Sequence, residues 1–365
     1  MKKHKALKIT GIILAILLII GIVFVTVLMQ MIKSIGAANG PVADYDKRIE
    51  IWDTVPGNSS HSKLEDMNID YDKSSLGLQT LKFIDAIVGT EYKDAENTID
   101  TFTYLYEIKG GHEKETYEDM PYLIPYTVAD SKGAVIVIPG GGFAYKSMDG
   151  TTGESKDIAM ELNNAGYSAF VLHYRSNPYE YPIPQLDVQR AVRFIKYHAE
   201  EYGINPEKIG LIGFSAGGNQ VGTYINLIMG NNLFPGDYVP DEIDLVDDTV
   251  IAPAMIYPAL TYEYNVPMLF SMFDDEAVRN ESTRNELLAM MDLKQHINPA
   301  ATNQFVSYGT KDGMVGMDGA IAYINSARNS GISVTEAVAE KQDHGYTFEY
   351  YGKQYISWLD GIFEE

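Results

Sequence analysis

Hydrophobic and polar positions alternate along residues 121–365 with two different periods. Short apolar runs predict buried strands near 134–138, 168–173, 208–212, 250–256, 304–309 and 333–338. Between them, apolar residues spaced three or four apart predict helices near 153–165, 185–202, 216–229, 318–330 and 350–363. Strands that alternate with helices build a mostly parallel sheet with helices on both faces. The pattern therefore predicts an α/β fold in one large domain.

A different hydrophobic pattern occupies the amino terminus. Residues 9–32 are a run of 24 positions without a charge, long enough to cross a hydrocarbon core of about 30 Å as a helix. Four lysines precede this run within residues 1–8, and only Lys33 follows it closely. Because positive residues favour the cytoplasmic side, we expect residues 1–8 in the cytoplasm and the rest of the chain outside.

A cleaved signal peptide is the alternative interpretation of this terminus, since small residues follow at Gly36, Ala37 and Ala38. The apolar core of a signal peptide is typically about 7–15 residues, and this run is longer. The length favours an uncleaved signal anchor that passes the cell membrane once and leaves a catalytic domain on the extracytoplasmic side.

Two further segments depart from the strand–helix alternation. Residues 33–120 are polar and acidic with patchy apolar content, which predicts a stalk or amino-terminal extension. Residues 260–297 are rich in Met and acidic side chains, which suggests a cap over an active site. Met268, Met272 and Phe273 could line that cap, but we favour packing in the core as the role of each.

The net charge and the absence of cysteine limit which substrates and catalytic groups the protein can use. The formal net charge is −22, and an acidic surface of this kind repels nucleic acids and other anionic polymers. The chain has no cysteine, which excludes disulfides, thiolate metal sites and a cysteine nucleophile. We expect neither a metal nor a cofactor, and we expect a small-molecule or oligosaccharide substrate.

The residues Gly213-Phe214-Ser215-Ala216-Gly217 lie between a predicted strand and a predicted helix. A strand, a G-x-S-x-G turn and a helix form a nucleophile elbow, in which the serine hydroxyl projects from the carboxyl end of the sheet. A glycine-rich turn that merely contains a serine is the alternative, because short motifs occur by chance. The remaining residues of a triad would decide between them.

A serine nucleophile needs a base and a carboxylate that orients the base. Asp312 follows the predicted strand near 304–309, and His344 is the one histidine beyond it, in a loop after the strand near 333–338. The chain order Ser, Asp, His is the order that this arrangement requires. The sequence therefore predicts Ser215 as nucleophile, Asp312 as acid and His344 as base, in preference to Asp274, Asp275 or Asp292 in the presumed cap.

Three glycines follow the predicted strand 134–138, in Pro139-Gly140-Gly141-Gly142-Phe143. Consecutive glycines let backbone N–H groups approach a ligand without obstruction. A phosphate-binding loop is the alternative, but neither phosphate-loop glycine pattern can be completed here. We expect an oxyanion hole made by Gly141, Gly142 and Ala216.

These motifs, with Gly166 to Arg175 and Asp187 to Val192, occur in the order seen in α/β-hydrolase-fold esterases. Residues from about 123 to 363 resemble the acetyl-esterase and carbohydrate-esterase branch, which includes acetylxylan-esterase-like and feruloyl-esterase-like members. The resemblance implies an α/β-hydrolase fold and the catalytic and oxyanion residues named above. Pro139 departs from the histidine that lipase-like relatives carry before the glycines.

The sequence thus predicts a membrane-anchored serine esterase that hydrolyses short-chain esters through an acyl-enzyme, with acetate on carbohydrates as the substrate that the resemblance implies. A serine peptidase or lipase of the same fold is an alternative. A surface interaction module that has lost catalysis is another, although the complete set of Ser, Asp and His argues against it.

Overall fold

The structure is a computed structural model of the chain. It describes residues 11–27, 42–57, 120–143, 146–148, 153–176, 179–262 and 266–364. Parts of the predicted membrane span (9–32), of the stalk (33–120) and of the cap (260–297) lie outside these residues.

The described residues contain one eight-stranded sheet with the order β1-β2-β4-β3-β5-β6-β7-β8. The strands are β1 (Ile49–Glu50), β2 (Tyr122–Tyr126), β3 (Ala134–Ile138), β4 (Ser168–His173), β5 (Ile209–Phe214), β6 (Ala252–Ile256), β7 (Asn303–Gly309) and β8 (Ser333–Ala339). Strands β4, β3, β5, β6, β7 and β8 are parallel to one another. Strand β2 is antiparallel to both of its neighbours, β1 and β4. The predicted mostly parallel sheet is confirmed.

Helices cover both faces of this sheet. In chain order, the helices of the described residues are α1 (11–27), α2 (Lys156–Asn164), α3 (Ile183–Tyr197), α4 (Ala216–Thr223), α5 (Asp275–Arg279), α6 (Glu281–Met290), α7 (Asp318–Asn329) and α8 (Gly352–Glu364). Residues Tyr224–Ile228 continue α4 as a π-helical turn. Helices α2, α3, α7 and α8 match predicted helices to within a few residues at the amino-terminal end.

The alternation of side chains along the strands divides the core into two layers. Ile136 and Ile138 of β3 belong to a hydrophobic cluster that also contains residues of α3, α4 and α7. Val135 and Val137 of the same strand point to the other face, where the cluster contains residues of α2 and α8. Because successive side chains of a strand point to opposite faces, an almost wholly apolar strand such as β3 is buried on both sides.

Residues 42–57, which we call the amino-terminal strap, pack against the catalytic domain although they lie in the segment predicted as a stalk. The strap supplies β1 at the edge of the sheet, and Trp52 is 3% exposed in the core. The Trp52 indole N–H donates to Oδ1 of Asp187 at 3.0 Å. Asp187 also forms a fully buried ion pair with Arg175, with Nη2 to Oδ1 at 2.7 Å. These contacts tie the strap to β2 and α3.

The side chains of α1 are exposed along its whole length. Within the stretches of chain that the structure covers, no helix is both long enough and apolar enough to cross a membrane. The predicted span is described only in part, so the anchor stays a prediction.

The segment between β6 and β7 contains α5, α6 and two short 3-10 helices, Val266–Ser271 and Leu293–Gln295. It contacts the region of the glycines, because Ser271 Oγ donates to the carbonyl oxygen of Gly142 at 2.8 Å. Met272 and Phe273 are buried in the hydrophobic core. Core packing, the role favoured for these two side chains, is therefore the one that the structure shows.

Candidate active site

The loops that follow five neighbouring strands meet at the carboxyl edge of the sheet. In the spatial order β3-β5-β6-β7-β8, these loops carry the glycines, Ser215, Tyr257, Asp312 and His344. The registers keep the strand ends level, since Ile138 pairs with Gly213, Phe214 with Ile256, and Gly309 with Ala339. The carboxyl edge of a parallel sheet is where α/β proteins place their ligands.

Ser215 lies in a tight turn between β5 and α4. Its backbone has φ of 52° and ψ of −115°, a conformation that a residue with a side chain adopts only under strain. A Cβ on Gly213 would approach the carbonyl oxygen of Gly217 to 2.1 Å, and one on Gly217 would approach the carbonyl oxygen of Ile138 to 2.0 Å. Both flanking positions therefore require glycine, and the predicted elbow geometry is present.

The structure brings the three predicted triad residues together. His344 Nε2 is 2.9 Å from Ser215 Oγ, and His344 Nδ1 is 2.8 Å from Asp312 Oδ2. Both distances are those of ordinary hydrogen bonds. The side chains are largely buried, with exposed fractions of 13% for His344 and 2% for Asp312, while Ser215 is partly exposed. The serine therefore remains accessible while its partners are screened from water.

The environment of Asp312 fixes the tautomer of the histidine. Burial opposes ionisation of Asp312, but hydrogen bonding and charge from His344, with the N–H groups of Val315 and Met314, hold its pKa below the usual value. An ionised carboxylate can only accept hydrogen bonds. The proton of a neutral imidazole must then lie on Nδ1, which leaves the Nε2 lone pair to accept the Ser215 hydroxyl proton.

Asp343 joins the loops of the acid and the base. Its Oδ1 accepts from the backbone N–H of Gly313 at 2.9 Å and from that of His344 at 2.8 Å. These two backbone hydrogen bonds lower the pKa of Asp343. Asp343 therefore holds the Asp312 loop and the His344 loop in register without contacting the imidazole nitrogens. Sequence reasoning assigned it no role.

The other carboxylates weighed as acids have structural contacts of their own. Asp274 caps α5 by accepting from the N–H of Ala277 at 3.1 Å. Asp292 accepts from Gln295 Nε2 at 2.7 Å and pairs with Lys294 at 2.7 Å. The acid position beside His344 belongs to Asp312 in this structure.

The glycines after β3 lie directly against the elbow. A Cβ on Gly140 would meet the carbonyl oxygen of Phe214 at 2.7 Å and Ser215 Cβ at 3.0 Å. Gly141 and Gly142 have φ values of 130° and 64°, in the range that favours glycine. Ala216 is the first residue of α4, and the first N–H groups of a helix lack intrahelical acceptors. The predicted oxyanion donors thus lie on two segments that converge beside Ser215.

Two residues near the site were missed by sequence reasoning. Tyr257 follows β6, and its ring packs edge-on against the His344 ring with centroids 4.9 Å apart. Glu154 is 5% exposed and accepts hydrogen bonds from the site. The position of Tyr257 just after a strand was a usable signal, whereas nothing in the sequence around Glu154 indicates burial. In the described parts of the chain, no cluster of three or more acidic or histidine side chains could hold a metal ion.

Comparisons with known proteins show which proteins the chain is similar to. The family model described as BD-FAE matches residues 122–230, which include the glycines and the elbow. The chain is 27% identical over 244 residues to endo-1,4-beta-xylanase B of Butyrivibrio fibrisolvens, covering 64% of this chain and 35% of that protein. It is 25% identical over 225 residues to an acetylxylan esterase of Xylanibacter ruminicola, covering 59% of this chain and 41% of that protein. The chain thus spans well under half of either curated relative.

Among solved structures, an acetyl ester-xyloside bifunctional hydrolase from Caldicellulosiruptor lactoaceticus superimposes with a TM-score of 0.56. The identity is 24%, and the match covers 68% of this chain and 88% of that chain. This match shows that the chain has the α/β-hydrolase fold, in which Ser215, His344 and Asp312 lie within hydrogen-bond distance of one another. The predicted resemblance to α/β-hydrolase-fold esterases of the acetyl-esterase and carbohydrate-esterase branch is confirmed.

Proposed function

We propose that this protein hydrolyses carboxylic esters through an acyl-enzyme, with Ser215 as nucleophile, His344 as base and Asp312 as the acid that orients it. The observation that carries the proposal is the continuous hydrogen-bonded path from Asp312 Oδ2 to His344 to Ser215 Oγ, at 2.8 and 2.9 Å. A nucleophile activated by an oriented base is the requirement of acyl transfer on a serine.

In the first step, Ser215 Oγ attacks the ester carbonyl carbon while its proton moves to His344 Nε2. The carbonyl oxygen becomes an oxyanion, and the N–H groups of Gly141, Gly142 and Ala216 are the donors proposed to receive it. One such donor typically contributes about 3–4 kcal/mol of transition-state stabilisation. When the tetrahedral intermediate collapses, the protonated His344 gives its proton to the departing alcohol.

In the second step, a water molecule transfers a proton to His344 Nε2 and attacks the acyl carbon. The new tetrahedral intermediate collapses, Ser215 Oγ recovers its proton from the imidazolium, and the carboxylic acid leaves. Asp312 remains ionised throughout and stabilises the imidazolium that forms in each half-reaction.

Labelling with a fluorophosphonate tests the mechanism, because the probe reacts only with an activated serine. We expect the full chain to be labelled and to hydrolyse p-nitrophenyl acetate. We expect Ser215→Ala to remain folded, to escape labelling and to lose several orders of magnitude in kcat. The matched control is Ser357→Ala, an exposed serine of α8. A Ser215→Ala protein with more than about a tenth of the wild-type kcat would refute the assignment, since triad losses are typically orders of magnitude.

We further propose that the acyl group is short, with acetate on a carbohydrate as the physiological ester. The likeness to an acetylxylan esterase supports this substrate class, and neutral sugar esters meet no Coulomb repulsion from a chain of net charge −22. A panel of p-nitrophenyl esters and acetylated xylo-oligosaccharides tests it. We expect kcat/KM to fall steeply from acetyl to octanoyl, and a preference for long chains would indicate a lipase instead.

We also propose that the protein is a single-pass membrane protein whose catalytic domain lies outside the cytoplasm. The support is the uncharged run 9–32, with four lysines on one side of it. Protease added to intact cells should then remove the catalytic domain from the cell fraction. Protection of the domain until the cells are lysed would overturn this topology and leave the triad untouched.

A further inference from the structure

Glu154 is a buried carboxylate placed between the glycines and the loop that follows β6. It lies two residues before α2 and is 5% exposed. Its Oε2 accepts from the backbone N–H of Gly140 at 2.9 Å, and its Oε1 accepts from the Tyr257 hydroxyl at 2.9 Å. A buried carboxylate is costly unless it is well hydrogen-bonded. The triad mechanism gives this side chain no part.

At one end, Glu154 fixes the backbone of the glycines. The neighbouring carbonyl groups are bound as well: Pro139 O accepts from the Tyr174 hydroxyl at 2.9 Å, and Gly140 O accepts from the N–H of Ser147 at 3.1 Å. These hydrogen bonds fix the peptide planes on both sides of Gly140. The N–H groups that the proposed oxyanion hole uses begin at the very next residue, Gly141.

At the other end, Glu154 fixes Tyr257. This tyrosine has a φ of 37°, and its N–H donates to the carbonyl oxygen of Ser307 at 2.7 Å. Its ring meets the His344 ring edge-on, with centroids 4.9 Å apart and planes at 62°. The His344 ring therefore packs against the Tyr257 ring, and Glu154 holds the Tyr257 hydroxyl in place.

We propose that Glu154 is a positioning residue that sets the oxyanion donors and the catalytic imidazole relative to each other, through Gly140 on one side and Tyr257 on the other. Its two carboxylate oxygens serve the two halves of the site separately. This inference rests on the proposed esterase function. Because Glu154 acts on groups that are engaged in the transition state, its loss should reduce turnover and leave substrate binding nearly unchanged.

Glu154→Gln in the full chain tests the proposal, because the amide keeps the shape but replaces one of the two acceptor oxygens by a donor. We expect kcat on p-nitrophenyl acetate to fall about 10- to 100-fold, less than the roughly 10²–10³-fold typical for removing a donor outright. We expect KM to change by less than about threefold. Affinity for a trifluoromethyl ketone, which forms the oxyanion on the enzyme, should fall in proportion to kcat/KM.

Tyr257→Phe tests the second half and keeps the ring against His344. We expect a smaller loss of kcat, and we expect the double variant to lose less than the product of the two single losses, because the residues share one hydrogen bond. The matched controls are Glu161→Gln and Tyr167→Phe. Glu161 is exposed on α2, and the hydroxyl of wild-type Tyr167 donates to Asp360 at 2.7 Å. Both should match the wild type in kcat and in ketone affinity.

Three outcomes would overturn the inference. One is a Glu154→Gln protein with wild-type kcat and ketone affinity, and another is a rise in KM at unchanged kcat. If Glu154→Gln does not fold, Tyr257→Phe decides, and wild-type kcat in that variant overturns the coupling. If fluorophosphonate fails to label the wild-type chain, the proposed function itself is refuted. If the wild-type chain is labelled but the variants behave like it, only the role of Glu154 is refuted.

Discussion

Asp312 and Asp343 lie in neighbouring loops, and the structure predicts opposite results when each is changed to asparagine. In Asp312→Asn, the amide oxygen can still accept from the N–H groups of Met314 and Val315, as Oδ1 does now at 3.0 and 2.9 Å. The amide NH₂ then faces His344 Nδ1 as a donor. The imidazole must accept there, and its proton moves to Nε2.

That tautomer removes the lone pair that would take the Ser215 proton. Loss of the same interaction in serine proteases lowers kcat about 10⁴-fold, which at about 1.36 kcal/mol per tenfold is roughly 5.5 kcal/mol of transition-state stabilisation. We expect a loss of this size in Asp312→Asn, with KM on p-nitrophenyl acetate little changed.

In Asp343→Asn, one amide oxygen replaces Oδ1, which accepts both backbone N–H groups, from Gly313 and His344. The side chain is exposed, so the lost charge matters little. We expect kcat within about threefold of the wild type, in line with surface substitutions. Steady-state kinetics of both variants, with urea unfolding to confirm the fold, make the comparison. More than about a tenth of wild-type kcat in Asp312→Asn, or an equal loss in both variants, would refute the reasoning about the tautomer.

Three further predictions concern stability. Gly217→Ala should prevent folding, because its Cβ would lie 2.0 Å from the carbonyl oxygen of Ile138. The control is Gly361→Ala on α8, whose Cβ would meet nothing within 4 Å and which should raise the free energy of unfolding by about 0.5–1 kcal/mol. Asp187→Ala should lower the free energy of unfolding by about 3–5 kcal/mol, since it removes the carboxylate that pairs with the buried Arg175. Burial raises the pKa of Tyr308 and Tyr323 to about 12 from 10.0, so their stabilising effect should be complete below about pH 10 and lost as the pH rises through 12.

Urea unfolding measures the first two of these, and tyrosinate absorbance with circular dichroism measures the third. A folded, active Gly217→Ala protein would contradict the close contact at the elbow. For the buried ion pair, the matched control is Asp360→Ala, whose partner Lys132 is 48% exposed and which should change stability by less than about 1 kcal/mol. Tyrosine ionisation near pH 10 without loss of secondary structure would contradict the third prediction.

The parallel part of the fold was predictable because its strands carry a strong local signal. Strands β3 to β6 are mostly apolar, and β7 and β8 carry β-branched or aromatic residues among polar ones. The predicted ranges of all six strands agree with the observed ones within two residues. Strand β1 has only two residues and therefore no period. Strand β2 contains Pro125, which usually argues against a central strand. It is tolerated here because β1 pairs only with Tyr122 and Leu123 and leaves Pro125 at the edge.

The residues of the site also fall into a group that the sequence predicts and a group that it does not. Ser215, Asp312 and His344 were predictable because each follows a strand and their chain order matches a known chemistry. Asp343 and Glu154 were not, since their roles depend on which backbone N–H groups come near them in three dimensions. Burial of Glu154 follows from loops that converge from distant parts of the chain. Tyr224–Ile228 forms a π-helical turn where the sequence predicted ordinary helix, because the spacing of apolar residues does not distinguish the two.

The amino-terminal strap determines which fragments of the chain can fold on their own. Strand β1 and Trp52 come from residues 42–57, while their partners in β2 and α3 lie beyond residue 120. A fragment begun at Met120 would expose the outer edge of β2 to pairing with other chains, and Asp187 would lose the indole donor. A synthetic peptide of residues 42–57, added to that fragment, could pair with the free edge of β2 and restore the Trp52 hydrogen bond to Asp187. Recovery of solubility and activity on adding the peptide would make the strap a detachable part of the enzyme, usable as a switch.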